Sequence, residues 1–184
     1  MQVGKFLKAL AALSLALFAA PAMAQADASY DAAISAYQAG QYDEALAQFK
    51  AGCDAGSARS CYSAGTMLGN GEGVAADPSS AALYYETACN GGISYGCTNL
   101  AVMHEEGSGV ARDLDRAMAL YQKACDAGDG LGCTNAAIQY YQGDEVLRDL
   151  AKAYALFQQG CDKGVGRACR QVGTMYDEGI GVDQ

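Results

Sequence analysis

The chain has 184 residues and a formal charge of −9, and 51% of its residues are hydrophobic. Its 12 Lys and Arg residues stand against 21 Asp and Glu residues, so it lacks the cations with which nonspecific nucleic-acid binders displace counterions from phosphates. The single histidine leaves little room for histidine-based catalysis or metal chelation, and the hydrophobic content excludes a disordered chain. Eight cysteines are the most unusual feature of the composition.

Residues 1–24 have the pattern of a secretory signal peptide. Two lysines precede an apolar run over 9–20, and Ala-Met-Ala at 22–24 is a small-x-small cleavage site. The apolar run is shorter than a helix that spans a bilayer, and a membrane anchor or a buried N-terminal helix is the alternative. We therefore expect a periplasmic or secreted mature domain of residues 25–184 without a membrane span. Loss of the two lysines changes its charge from −9 to −11.

The cysteines form four C-x7-C pairs that recur every 36 residues. Two glycine columns and an aspartate column keep the same period. These columns are Gly56, Gly92, Gly128 and Gly164; Gly71, Gly107, Gly143 and Gly179; and Asp77, Asp113 and Asp149. A fixed period of this size is typical of a solenoid built from one supersecondary unit. The predicted repeats cover about 53–88, 89–124 and 125–160, with a partial repeat at 161–184 and a divergent first hairpin at 27–52.

The repeating unit is predicted to be a helix, a loop, a second helix and a turn. Apolar residues recur at i, i+3, i+4 and i+7 within 79–89, 115–125 and 151–161, which favours amphipathic helices. The aspartate column precedes these segments as N-caps do, and the other helix of each unit ends at the second glycine column. That other helix is expected at 58–70, 94–106, 130–142 and 166–178. The predicted fold class is all-α, an α/α superhelical solenoid of 36-residue helical hairpins.

The cysteine spacing predicts disulfides within each repeat. Residues eight apart on one helix are separated by about 12 Å, whereas a disulfide requires Cα atoms within about 7 Å. The chain must therefore turn back at the glycine between the cysteines, so that each pair clips one helix to the next. The predicted disulfides are Cys53–Cys61, Cys89–Cys97, Cys125–Cys133 and Cys161–Cys169. Zinc sites use cysteines about two to four residues apart, often with histidine, so no metal and no cofactor is predicted.

The segment from Cys97 to Cys125, CTNLAVMHEEGSGVARDLDRAMALYQKAC, resembles the Sel-1-like repeats, which are relatives of the tetratricopeptide repeat. The regular C-x7-C pairs narrow the resemblance to the cysteine-rich bacterial branch of the Hcp type. The resemblance implies a superhelix with a concave face lined by the first helix of each hairpin. Such surfaces bind extended peptides or proteins. Glu145 departs from the pattern because it replaces a loop glycine.

The same resemblance brings an enzymatic alternative, because some members of this branch are described as β-lactamases or penicillin-binding proteins. A serine enzyme of that class needs S-x-x-K and a K-T-G element, and neither occurs in the chain. His104 falls in a column that holds leucine or tyrosine in the other repeats, which favours packing over general-base catalysis. We predict no catalytic residues, and a β-lactamase-type hydrolase is the alternative function.

Polar residues on the first helices indicate peptide binding. Asn99 and Asn135 occupy equivalent positions two residues after a cysteine, and a side-chain amide offers both a donor and an acceptor to a peptide backbone. Alternatively, the two asparagines buttress the neighbouring helix. Arg167 and Arg170 suit an acidic side chain or a terminal carboxylate. The predicted peptide-binding residues are Asn99, Asn135, Tyr62, Tyr95, Tyr141, Arg167 and Arg170. The expected partner is a protein or an extended peptide.

Two further expectations concern the surface. Glu105 and Glu106 are predicted to belong to a solvated acidic rim. The sequence ends after the first helix of a last hairpin, on Met175, Tyr176 and Ile180. This apolar face is expected to pack against another copy or a partner, or to fold back under the tail.

Overall fold

The computed structural model describes residues 20–143 and 147–181, with side chains from residue 29 onward. Residues 1–19 of the predicted signal peptide, and Glu145, lie outside these ranges. Within the described ranges every regular element is a helix, and no helix is long and apolar enough to cross a membrane. The helices are α1 (Ala20–Gln38), α2 (Tyr42–Asp54), α3 (Ala58–Asn70), α4 (Pro78–Asn90), α5 (Ser94–Glu106), α6 (Leu114–Asp126), α7 (Gly130–Gln142), α8 (Leu150–Asp162) and α9 (Gly166–Asp177).

The helices pack as a stack of hairpins. Each helix contacts the next along the chain, and the most extensive contacts lie within the pairs α1–α2, α3–α4, α5–α6 and α7–α8. Helices α5 and α7 also contact each other, so helices with odd numbers form one layer of the stack. The predicted all-α solenoid of helical hairpins is confirmed.

The helix ends form as the sequence columns predict. Asp77 caps α4, since its side chain accepts a hydrogen bond of 3.0 Å from the backbone N–H of Ser80. Asp113 and Asp149 cap α6 and α8 in the same way. Each such cap stabilises its helix by about 1 kcal/mol. The partner helices α3, α5 and α7 end at left-handed glycines with φ of 67°, 73° and 70°. Helix α9 differs, because it ends at Asp177 and the left-handed glycine follows one residue later.

Each hairpin is joined to the next by a disulfide across a tight turn. The Cα atoms of the paired cysteines are 4.5 to 4.7 Å apart. The glycine between them has φ between 85° and 97°, which only glycine adopts readily. In the chain-entropy account each nine-residue loop contributes about 2.5 kcal/mol. The disulfides are Cys53–Cys61, Cys89–Cys97, Cys125–Cys133 and Cys161–Cys169.

One aromatic ring per unit fills the core between the two layers. The rings are Phe49, Tyr85, Tyr121 and Phe157, which are exposed by 5% or less and recur every 36 residues on the helices with even numbers. They pack against small residues of the other layer. At Gly65, an added Cβ atom would lie 2.9 Å from Cδ1 of Tyr85, so the close approach of α3 and α4 depends on this glycine. The core is therefore a thin seam of alanine and aromatic side chains.

We expect the last disulfide to be reduced before the other three. Cys169 is exposed and Cys161 is half-buried, whereas Cys61, Cys97 and Cys133 are exposed by only 1%, 2% and 0%. Thiol–disulfide exchange needs access of the attacking thiolate to a sulfur. Timed alkylation of the native protein in mild dithiothreitol, followed by peptide mass spectrometry, measures the order.

The same reduction in denaturant is the control, because all four nine-residue loops are then equally accessible. Labelling of Cys97 or Cys133 in the native protein as early as that of Cys169 would contradict the expected order.

Candidate binding surface on the odd-numbered helices

Three clefts follow one another along the layer of odd-numbered helices. A cleft of about 170 Å³ lies between α1 and α3, one of about 390 Å³ between α3 and α5, and one of about 140 Å³ between α5 and α7. We call them the first, second and third clefts, and the face that they line is the odd-helix surface. The chain therefore repeats a concave feature at the same place in consecutive units.

Helix α5 separates the second cleft from the third. Asn99, Val102 and Glu106 lie at i, i+3 and i+7, so they share one face of this helix. Asn99 lines the second cleft, and both Val102 and Glu106 line the second and the third. The face thus carries an amide, an apolar residue and a carboxylate along one ridge.

Asn99 has a structural role in addition to its place in the cleft. Its side chain interacts with the hydroxyl of Tyr85, and Thr66 lies 3.5 Å from the same hydroxyl. Burial raises the pKa of Tyr85, and the hydrogen bonds of Thr66 and Asn99 partly oppose that shift. Asn99 therefore supplies a hydrogen-bond partner to the buried hydroxyl of Tyr85, because buried polar groups require such a partner.

Asn135 and Glu105 serve the next buried tyrosine in the same way. The Tyr121 hydroxyl donates a hydrogen bond of 2.6 Å to Glu105 Oε2, and Gln139 Nε2 donates one of 2.7 Å to Glu105 Oε1. Burial raises the pKa of Tyr121, and the hydrogen bond to Glu105 raises it further, whereas Asn135 lowers it. Glu105 is half-buried, so the expectation that it belongs to a solvated rim is replaced by a defined role beside Tyr121.

Asn99 and Asn135 belong to the two units in which the buried aromatic residue of the core is a tyrosine. Fourteen residues separate Tyr85 from Asn99 and Tyr121 from Asn135. The same offset from Phe49 and Phe157 leads to Ser63 and Gln171. This pattern supports buttressing as one function of Asn99 and Asn135. An amide has two donors and an acceptor with two lone pairs, so capacity for a ligand remains.

The other predicted binding residues are placed in different surroundings. Tyr62 lines the first and second clefts, with its ring 6.0 Å from Tyr85 and 6.3 Å from Tyr95. Tyr95 is 55% exposed. Tyr141 packs its ring 6.3 Å from that of Phe157, so it serves the core seam.

The two arginines of α9 differ in availability. Arg167 donates a hydrogen bond from Nη2 to Asn135 Oδ1, which ties α9 to α7. Arg170 is exposed.

At the end of the described chain, Met175 is fully buried, Ile180 is half-buried and Tyr176 is 56% exposed. Of the expected apolar end face, only Tyr176 is largely open to solvent.

Glu106 and Thr66 are cleft residues that sequence reasoning did not single out for binding. Glu106 is exposed, as expected for an acidic rim, but it borders two clefts. Glu106 follows Asn99 by seven residues, so helical periodicity predicts that the two side chains lie on the same face of α5.

Within the described ranges, no group of three or more His, Cys, Asp or Glu side chains is placed to hold a metal ion.

The hairpin stack, its one-per-unit disulfides and its repeated clefts define an α-helical repeat protein of scaffold type. The Sel1 repeat family matches residues 58–93, 94–129, 131–165 and 166–184. The chain therefore belongs to the Sel1 repeat family. Each match begins near the start of an odd-numbered helix, so the family unit contains one helix of the odd layer.

Three solved structures are similar to this chain. The crystal structure of c5321, a protective antigen present in uropathogenic Escherichia coli strains displaying an SLR fold, matches with a TM-score of 0.79 and 29% identity over 85% of this chain and 34% of c5321. A Sel1 repeat protein from Oxalobacter formigenes matches with a TM-score of 0.76 and 21% identity over 84% of this chain and 63% of that protein. Cysteine-rich protein B (HcpB) of Helicobacter pylori matches at 28% identity over 50% of this chain and 68% of that protein, with a TM-score of 0.47. This chain thus spans about a third of c5321 and under two thirds of the O. formigenes protein. No curated protein matches it.

Replacing Tyr121 by phenylalanine is expected to destabilise the fold by about 1–2 kcal/mol near neutral pH, because the bond to Glu105 is lost. The pKa of Tyr121 is raised from 10.0, so the stability due to the neutral phenol is present below pH 10 and is lost as the pH rises further. The difference in unfolding free energy between the wild type and Tyr121→Phe should therefore narrow above pH 10. Urea unfolding of the oxidised proteins between neutral pH and about pH 11 measures this difference.

Phe157 shows that a phenylalanine fits this column. Tyr176→Phe is the control for the loss of a tyrosine hydroxyl, since Tyr176 is 56% exposed. A wild-type advantage over Tyr121→Phe that stays constant above pH 10 contradicts the role assigned to the hydroxyl.

Proposed function

We propose that the chain is an exported Sel1 repeat scaffold that binds a protein or an extended peptide in a concave groove on its odd-helix surface, without chemistry of its own. One observation carries this proposal, the succession of three clefts between α1, α3, α5 and α7. An extended chain that crosses successive units meets the same kind of cleft in each. Sel1 repeats commonly mediate protein interactions, which supports the same assignment.

The polar residues of the clefts suit a peptide backbone. Asn99 and Asn135 stand in equivalent positions on α5 and α7, and each amide keeps hydrogen-bonding capacity for a ligand after its internal contacts, which for Asn135 include the bond from Arg167. Val102 and Ile138 provide apolar contact between them, as both line the third cleft. Main-chain recognition by such amides depends little on the ligand's side chains.

Export to the periplasm or the exterior is supported by covalent chemistry. The described ranges contain four disulfides. Structural disulfides persist in oxidising compartments and are rare in cytosolic proteins. The sequence of residues 1–24 has the form of the leader that such export requires. In the structure, the expected cleavage site after Ala24 lies within the part of α1 that is described, which runs from Ala20 to Gln38.

Replacing Val102 by arginine is expected to abolish partner binding, because the larger charged side chain stands on the ridge between the second and third clefts. Leu83→Arg is the matched control, since Leu83 is 67% exposed on α4 and lines none of the three clefts. The measurement is quantitative affinity capture from the exported fraction with the oxidised wild type and both variants. We expect the control to recover what the wild type recovers and Val102→Arg to lose at least about nine tenths of it.

Thermal unfolding and disulfide mapping establish that Val102→Arg is folded. Equal recovery by the wild type and a folded Val102→Arg variant would show that the odd-helix surface is not the binding site.

Removal of the leader is expected to leave Gln25 as the first residue of the exported protein. Replacing Ala24 by arginine should prevent this cleavage, because the position before the cut accepts only small side chains. Intact mass measurement of the wild type and of Ala24→Arg after cell fractionation tests both statements. Recovery of the wild type mainly with residues 1–24 attached would contradict the assignment of a cleaved leader.

A further inference from the structure

The second cleft has the chemistry of a site for one type of side chain. It is the largest of the three, at about 390 Å³. Tyr62, Tyr85, Pro78 and Val102 supply apolar surface, and Glu106 supplies the one carboxylate of the cleft. The neutral polar side chains of the lining are those of Thr66, Asn70, Asn99 and Ser108. A cleft that combines apolar side chains, neutral polar groups and one carboxylate suits a long side chain that carries a positive charge at its end.

The charged side chains that line the three clefts are all acidic. The described residues that line the three clefts include Glu72, Glu105 and Glu106 but no Lys, Arg or His. Glu72 accepts a hydrogen bond of 2.9 Å from Tyr37 and one of 2.7 Å from Asn70. Glu105 is held by Tyr121 and Gln139, as described above. An acidic ligand side chain is therefore disfavoured in the second cleft, whereas at the third cleft Arg167 is bonded to the lining residue Asn135.

Glu106 is the carboxylate that remains available. It is exposed, and within the described ranges it makes neither a hydrogen bond nor an ion pair through its side chain. It therefore has the capacity for a charge-assisted hydrogen bond to a ligand without breaking an internal contact. The ring of Tyr62, which is half-buried and lines the same cleft, adds an aromatic face that attracts a cation.

We infer that the second cleft binds a lysine or arginine side chain of the bound peptide, with its aliphatic stem against Val102 and Tyr62 and its charged end at Glu106. This inference rests on the proposed function, since the cationic side chain belongs to the peptide that the groove binds. It adds the chemical class of the ligand, a basic extended peptide.

The test begins with selection of unstructured dodecapeptides from a random phage-displayed library on the oxidised mature protein. A surface coated with Val102→Arg serves for counter-selection. Enrichment of Lys and Arg above their frequency in the unselected library is expected. The most enriched peptide is then synthesised together with variants in which each Lys or Arg is replaced by methionine. Binding of these peptides is measured by fluorescence anisotropy.

Glu106→Gln and Glu178→Gln form the matched pair of protein variants. Glu106, Gln142 and Glu178 occupy equivalent positions on α5, α7 and after α9, so the chain itself tolerates glutamine there. Glu178 lines none of the three clefts. We expect Glu106→Gln, and replacement of one particular cationic residue of the peptide, each to weaken binding about tenfold. Both changes together should weaken it little more than either one, and Glu178→Gln should leave it unchanged.

The outcomes separate this inference from the function on which it rests. Selected peptides that lack Lys and Arg, or equal effects of Glu106→Gln and Glu178→Gln, overturn the cationic site while the groove still binds peptide. Failure of the wild type to enrich any peptide over the Val102→Arg surface overturns peptide binding in the groove, and the cationic site with it.

Discussion

The structure depends on one repeated contact, the packing of an aromatic ring from each even-numbered helix against small residues of the odd layer. Tyr85 fits because position 65 is glycine, and Tyr121 and Phe157 are equally buried in their units. Replacing such a ring by alanine costs about 3–5 kcal/mol in ordinary cores. The disulfides, at one end of each hairpin, restrict the unfolded chain but leave this seam to set the distance between the layers.

The same contact shapes the surface that we propose binds peptide. A buried tyrosine needs a partner for its hydroxyl, and that partner must lie on the facing helix. Asn99 and Glu105 answer this need and at the same time line the clefts. Glu106 is the neighbour of Glu105 in sequence, yet it points its charge to solvent because it belongs to the next position around the helix. The polar features of the odd-helix surface are thus partly a consequence of the core.

Periodic features were predictable from the sequence. The helix bounds, the capping by Asp77 and the turn-back between Cys89 and Cys97 all follow from local rules, since capping, glycine turns and disulfide loops each involve residues a few positions apart. The end of α9 differs by one residue from the expected one, as helix ends commonly do. The candidate binding surface was less predictable from the sequence. The sequence pattern does not show that the ring of Tyr141, a predicted binding residue, lies near Phe157 and that Tyr141 lines none of the three clefts.

By itself, the sequence determined the repeating unit, its turns and disulfides, and its membership of a repeat family. It could do so because the 36-residue period repeats the same local structure along the chain. Only the tertiary structure decided which side chains share a cleft and which charges are already satisfied. Glu105 and Glu106 are adjacent and chemically identical, and the hydrogen bonds of Tyr121 and Gln139 distinguish them. Those partners lie 16 and 34 residues away from Glu105, on α6 and α7, and the sequence pattern does not show which side chains of these helices reach Glu105.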